Sequence, residues 1–104
     1  MEEIKLYKII LSPTFINELN TICDYMITNL KEPQLSKIFY RRIIEKLSSL
    51  KIFPERHRQL QIKDIIFRKL FFKNYVIIYQ INFKSREVFI LHIFHGNQNY
   101  LNLI

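Results

Sequence analysis

Residues 65–94, IIFRKLFFKNYVIIYQINFKSREVFILHIF, decide the fold. Residues 65–72, 75–81 and 88–94 are dense in β-branched and aromatic side chains, and Lys73-Asn74 and Asn82-Phe83-Lys84-Ser85-Arg86 separate the three runs. Side chains of that kind fit a pleated, half-buried surface. Polar connections as short as these leave no room for a crossover, so neighbouring runs must be antiparallel. The stretch predicts a three-strand meander whose last strand ends at His95-Gly96.

Working outward toward the N-terminus, residues 4–11 alternate imperfectly between apolar and polar and predict a strand. Ser12-Pro13 follows, with Ser12 as the cap of a helix and Pro13, whose missing N–H costs nothing there, as its first residue. Phe15, Leu19, Ile22, Cys23, Met26, Ile27 and Leu30 then recur at three-to-four spacing, one buried helical face, until Lys31-Glu32-Pro33 breaks the helix. A second helix over residues 34–50 places Leu35, Phe39, Ile43, Leu47 and Leu50 on one stripe, with Lys37, Arg41, Arg42, Glu45 and Lys46 largely outside it. Helices joined so tightly form an antiparallel hairpin. Phe53-Pro54 stops the second helix, and residues 55–63, polar and basic, read as an exposed loop. The predicted architecture is α+β: an N-terminal strand, an antiparallel helical hairpin, then a three-strand antiparallel meander forming one sheet with the helices packed on one face. Residues 97–104 read as a short helix or a tail.

A chain of 104 residues with 49% hydrophobic content builds one core, and no linker-like stretch divides it, so residues 1–104 are read as a single domain. The N-terminus lacks the pattern of a signal peptide and no apolar run is long enough to span a bilayer, which predicts a soluble, cytoplasmic protein without a membrane partner. Lys and Arg number 16 against 9 Asp and Glu, and the net charge of +7 attracts polyanions or an acidic protein. Ile, Lys, Asn, Phe and Tyr are abundant and Trp is absent, a bias an A+T-rich genome would impose, so part of the lysine excess is compositional background. Cys23, the only cysteine, has no disulfide partner and sits on the apolar helical face as a structural thiol. Three histidines at 57, 92 and 95 show no zinc spacing, and Gly96, the only glycine, makes no phosphate loop. No metal and no cofactor are expected.

What remains is a cationic acid–base site, in which arginine or lysine neutralises a phosphate while histidine or tyrosine moves protons. Candidates are Arg68 on a strand, His95 at a strand end, Tyr100 in the tail, and Arg56, His57, Arg58 and Lys63 in the loop. Each has a plainer role: Arg68 as a solvated or ion-paired side chain, His95 as a turn-fixing group, Tyr100 as an anchor for the tail, Arg56-His57-Arg58 as a hydrated basic loop. His92, inside its strand, reads as a hydrogen-bonded structural residue.

Leu11-Ser12-Pro13 before a helix, Leu50 followed by Pro54, Arg68-x-Leu70 ahead of Asn74-Tyr75-Val76-Ile77-Ile78-Tyr79, and Val88-Phe89-Ile90-Leu91 running into His95-Gly96 and Tyr100 form an ordered set over nearly the whole chain. That set resembles the RelE/ParE superfamily of toxins from bacterial type II toxin-antitoxin modules. The resemblance implies a growth-inhibiting toxin held in a hetero-oligomer by a cognate antitoxin. In the RelE-like branch it implies ribosome-dependent, metal-free cleavage of mRNA, with Arg68, His95 and Tyr100 as catalytic groups. In the ParE-like branch it implies inhibition of DNA gyrase; under that reading the helical hairpin and basic surface would grip the target, with Arg41, Arg42, Arg56, Arg58 and Lys63 as the candidate binding residues. The His-Gly ending is more similar to the ParE or plasmid-stabilisation group, which tips the reading slightly that way, although Gln98-Asn99 stands where that group carries an Arg-Asp pair. Whether the chain is an enzyme is left open between the branches. A third class, a non-toxic basic RNA-binding module, also fits the charge and the 14% aromatic content.

Overall fold

The computed structural model describes residues 5–96 and 104. Its elements are β1 (Lys8–Leu11), α1 (Pro13–Thr28), α2 (Pro33–Ser48), 3-10 turns at Ser49–Lys51 and Pro54–Arg56, then β2 (Gln59–Ile62), β3 (Ile65–Phe72), β4 (Tyr75–Asn82) and β5 (Glu87–His95). The meander β3-β4-β5, the helical hairpin and the N-terminal strand are those expected from the sequence, and the helices pack on one sheet face. The reading of residues 55–63 as an exposed loop is corrected: Gln59–Ile62 forms β2, an antiparallel edge strand with Gln59 opposite Arg68 and Ile62 opposite Ile65. The sheet order is β1-β5-β4-β3-β2, with β1 parallel to β5, Lys8 opposite Glu87 and Leu11 opposite Ile90.

Against the helices pack Leu70, Ile77, Tyr79, Val88, Ile90 and Ile93 from the strands, meeting Phe15, Leu19, Cys23 and Met26 of α1 and Phe39, Ile43, Leu47 and Leu50 of α2 and the turn after it. A second cluster lies on the other sheet face, where Phe67, Val76, Ile78 and Phe94 are buried with Leu60, Ile62, Leu91 and Ile104 around them. The far face is therefore not the wet surface that strict alternation suggests. Val76 through Tyr79 are all fully buried because β4 is the central strand, and a strand covered on both faces carries a continuous apolar run. Opposite Ile78 stands His92, and opposite Tyr79 stands Ile90, so Leu91 is an extra residue in β5. This β-bulge shifts the alternation by one, which is how Ile93 joins Val88 and Ile90 on the helix side while Phe94 turns to the far face.

Two details of the helical faces differ from the periodicity. Ile27, Leu30 and Leu35 are exposed rather than part of the buried face. Buried Ser36 faces α1 instead, its Oγ donating to the Cys23 carbonyl at 3.1 Å, so a small polar residue lets the helices approach closely. Burial pushes the Cys23 thiol above its ordinary pKa, as a structural cysteine requires.

Ser12 fastens β1, α1 and β5 together. Its N–H donates to the Ile90 carbonyl at 2.9 Å and its Oγ donates to the Leu91 carbonyl at 3.0 Å, while the same Oγ accepts the Phe15 N–H at 3.0 Å as helix cap. At the other end of the ladder Gly96 N–H meets the Asn74 carbonyl at 2.6 Å, and a Cβ on Gly96 would stand 3.1 Å from that oxygen, so glycine serves close approach there. Ser12→Ala removes a cap and a strand contact together, and should lower unfolding stability by about 1–2 kcal/mol in urea titrations.

Candidate functional site

Arg68 of β3 and Tyr79 of β4 stand directly opposite each other on the helix-facing side of the sheet. The turn between α2 and β2 lies over them. Buried Tyr79 donates its hydroxyl to the Pro54 carbonyl at 2.6 Å, and Arg68 Nη1 donates to the carbonyls of Glu55 at 2.6 Å and His57 at 2.9 Å. Arg56 Nη2 reaches back to the Ser49 carbonyl at 3.2 Å, occupying an acceptor at the end of the helical segment. Phe53, exposed, takes the left-handed conformation at φ 52° to direct Pro54 into the core, where Pro54 is fully buried. The cross-strand pair thus turns a basic connection into a fixed one. Burial pushes the Tyr79 phenol far above its ordinary pKa, so it remains a donor across the physiological range. Tyr79→Phe leaves a buried carbonyl unsatisfied and should cost about 1–3 kcal/mol in the same titration.

Beside this turn, Arg42, Glu45, Lys46, Ser49, Arg56 and Phe72 line a groove of about 350 Å³. Of the binding residues expected from sequence, Arg42 and Arg56 come together here. Arg41 lies outside the groove lining and pairs with Glu45 at 3.9 Å, both side chains well exposed. Arg58 is exposed and precedes β2, and Lys63 occupies the β2–β3 turn at φ 56°. Lys46 was not singled out by the sequence reading. Its signal was the one-turn spacing from Arg42, which puts both cations on the same helix flank.

His57 sits under these cations. Its Nε2 is buried with no hydrogen-bond partner among the described residues, and its ring meets Tyr79 edge-on at 6.3 Å. Desolvation, then the charges of Arg56, Lys46 and Arg68, hold its pKa below the ordinary imidazole value. The folded state therefore binds this proton less readily than the unfolded chain. The associated stability is complete above the unfolded pKa near 6.5 and declines as pH falls through that value toward the folded one. Urea midpoints at pH 7.5 and 5.5 should show wild type losing more stability on acidification than His57→Gln.

The remaining candidates lie toward the other end of the sheet. His95 is opposite Tyr75, their rings 5.5 Å apart and edge-on. Tyr75 is four residues along β4 from Tyr79, the partner of Arg68, or about 13 Å along the strand. Arg68 and His95 are thus not brought together. His92 Nδ1 lies 3.3 Å from both carboxylate oxygens of Glu18, of which Oε1 also accepts the Ile93 N–H at 3.1 Å, so α1 supplies a substitute partner for β5 where β1 has ended. These residues border a mostly apolar groove of about 720 Å³ with Ile22, Tyr25 and Phe94. Tyr100 lies outside the described residues, as do Gln98-Asn99 and the rest of the segment read as a tail, except Ile104. Among the described residues no group of three His, Cys, Asp or Glu side chains is placed to hold a metal ion, and no helix is long and apolar enough to cross a membrane.

The fold is shared with solved toxin-antitoxin structures. A chain of the chromosomal ParDE system from P. aeruginosa superposes with a TM-score of 0.74 at 16% identity, covering 88% of this chain and 97% of that one. A chain of the RelBE2 toxin-antitoxin complex from Mycobacterium tuberculosis gives 0.66 at 16% identity, covering 91% and 97%. A chain of the archaeal RelE-RelB complex from Pyrococcus horikoshii OT3 gives 0.64 at 20% identity, covering 89% and 98%. At such identities the likeness establishes the fold alone. No curated protein sequence matches the chain. The family model for the ParE toxin of the type II toxin-antitoxin system parDE matches residues 9–100, from β1 through the whole sheet and beyond it. That span decides the assignment: the chain belongs to the ParE toxin family of type II toxin-antitoxin systems.

Proposed function

We propose that this toxin acts in the cytoplasm by binding and inhibiting DNA gyrase, and that a cognate antitoxin holds it inactive in a hetero-oligomer. The observation that carries the reading is the use made of Arg68. The acid–base pair expected from the sequence for a ribonuclease would need Arg68 on a phosphate, with His95 within reach of the same reacting atoms. Instead, Nη1 of Arg68 donates to two backbone carbonyls, and His95 stands opposite a residue about 13 Å further along β4. Among the exposed cations, Arg42, Lys46 and Arg56 line one groove and suit gripping a protein. A net charge of +7 likewise favours a partner of opposite sign, since complementary charge speeds association and selects partners.

Induced expression in bacteria tests the reading. Growth arrest with filamentation, a DNA-damage response and intact mRNA is the expected result, together with rescue when the neighbouring open reading frame is co-expressed. Cleaved mRNA on stalled ribosomes would place the toxin among the nucleases instead, and a folded product without any growth defect would overturn activity in this copy.

A further inference from the structure

We infer that the groove between the last turns of α2 and the Pro54–Arg56 turn is a carboxylate-accepting site for an acidic segment of the partner protein, with Arg42, Lys46 and Arg56 supplying the counter-charges. The inference rests on the reading above that the toxin works in complex with an antitoxin. Arg42 and Lys46 are one helical turn apart on one flank, about 6 Å along the axis, a spacing that carboxylates on a partner helix or extended segment can match. Arg56 faces them from the other wall. Its Nη2 is already held by the Ser49 carbonyl, and its backbone is fixed by the bonds that Tyr79 and Arg68 make to the residues on either side. Little ordering remains to be done when a carboxylate arrives, and an arginine fork receives one with two parallel bonds.

The lining argues for peptide over nucleic acid. A volume of about 350 Å³ admits a few side chains, and the half-buried ring of Phe72 gives the groove an apolar wall, with Lys73 Nζ 5.8 Å from the ring centroid. Glu45 stands in the lining, a fixed negative charge that repels a regularly spaced phosphate backbone. A peptide can avoid it by offering a neutral or basic residue at that place.

Binding of the full-length toxin to the purified product of the neighbouring antitoxin reading frame, measured by calorimetry at 0.1 and 0.4 M NaCl, tests the site. Arg42→Glu with Lys46→Glu, both at exposed positions, should weaken binding at least tenfold at low salt and flatten its salt dependence. Lys84→Glu, in the exposed β4–β5 turn, provides a charge-reversal control of two charge units against the double variant's four and should change affinity less than twofold, with circular dichroism confirming that all variants fold. If the double variant binds like wild type, or no worse than the control allows per charge, the groove is not the site. If a single-stranded RNA 20-mer binds the wild type, loses binding in the double variant and displaces the antitoxin, the occupant is nucleic acid and the inference is overturned. Wild type failing to bind the antitoxin at all would remove the partner reading and this inference with it, an outcome distinct from an intact complex indifferent to the groove.

Discussion

The two helices cover one face of a five-stranded sheet, and residues of only four of those strands lie beneath them. That mismatch organises the molecule. The hairpin of α1 and α2 rests on residues from β1, β5, β4 and β3, whereas β2 contributes only to the cluster on the far face. On the β3–β2 side the sheet runs out from beneath the helices, and the chain must descend there from the end of α2 to the edge strand. A descent without support would leave the carbonyls of the turn without protein partners, the Pro54 carbonyl in a buried place. Arg68 and Tyr79, facing each other across two strands, satisfy them and thereby shape the corner.

The same corner gathers most of the cationic character that matters. Arg56, Lys46 and Arg68 converge closely enough to disfavour a proton on His57, which shows that their fields overlap inside a partly desolvated space. Much of the remaining positive charge is scattered over turns and strand faces, where salt screens it. Arg68 bonds backbone oxygens through Nη1, and its charge contributes to the local field. One cluster of positive charge is thus assembled on one side of α2 from a helix flank and a pinned turn.

Nearly all the main-chain architecture was legible because its signals were local: Ser12-Pro13 at the start of α1, the Pro33 break, and apolar runs separated by short polar turns. The edge strand was not. Gln59–Ile62 has two apolar residues and a turn at Lys63-Asp64 with none of the glycine that ordinarily marks a hairpin. Instead Lys63, like Lys73 and Arg86 in the other turns, adopts positive φ, a conformation sequence reasoning assigns to glycine or asparagine. The bulge at Leu91 was likewise invisible, since it depends on pairing with β4. At the candidate site individual cations could be named from the sequence, but not which of them the fold groups together. Whether Arg68 points to solvent or to the carbonyls of Glu55 and His57 depends on a turn whose path no periodicity encodes.

The parallel pairing of β1 with β5 has a temporal consequence. Ser12 and Leu91 bond across 79 positions of sequence, while the helical hairpin and the meander are built from neighbours in the chain. Local contacts form quickly and remote ones late, because closing a long loop must precede their reward. On the ribosome, α1 and α2 can pair while β5 is still unsynthesised, yet β1 has no strand to join until residues 87–90 emerge. The first strand made is thus the last to be seated. The interval in which a nascent toxin is half-built is long, and its completed surface comes into existence only when the final strand has left the ribosome.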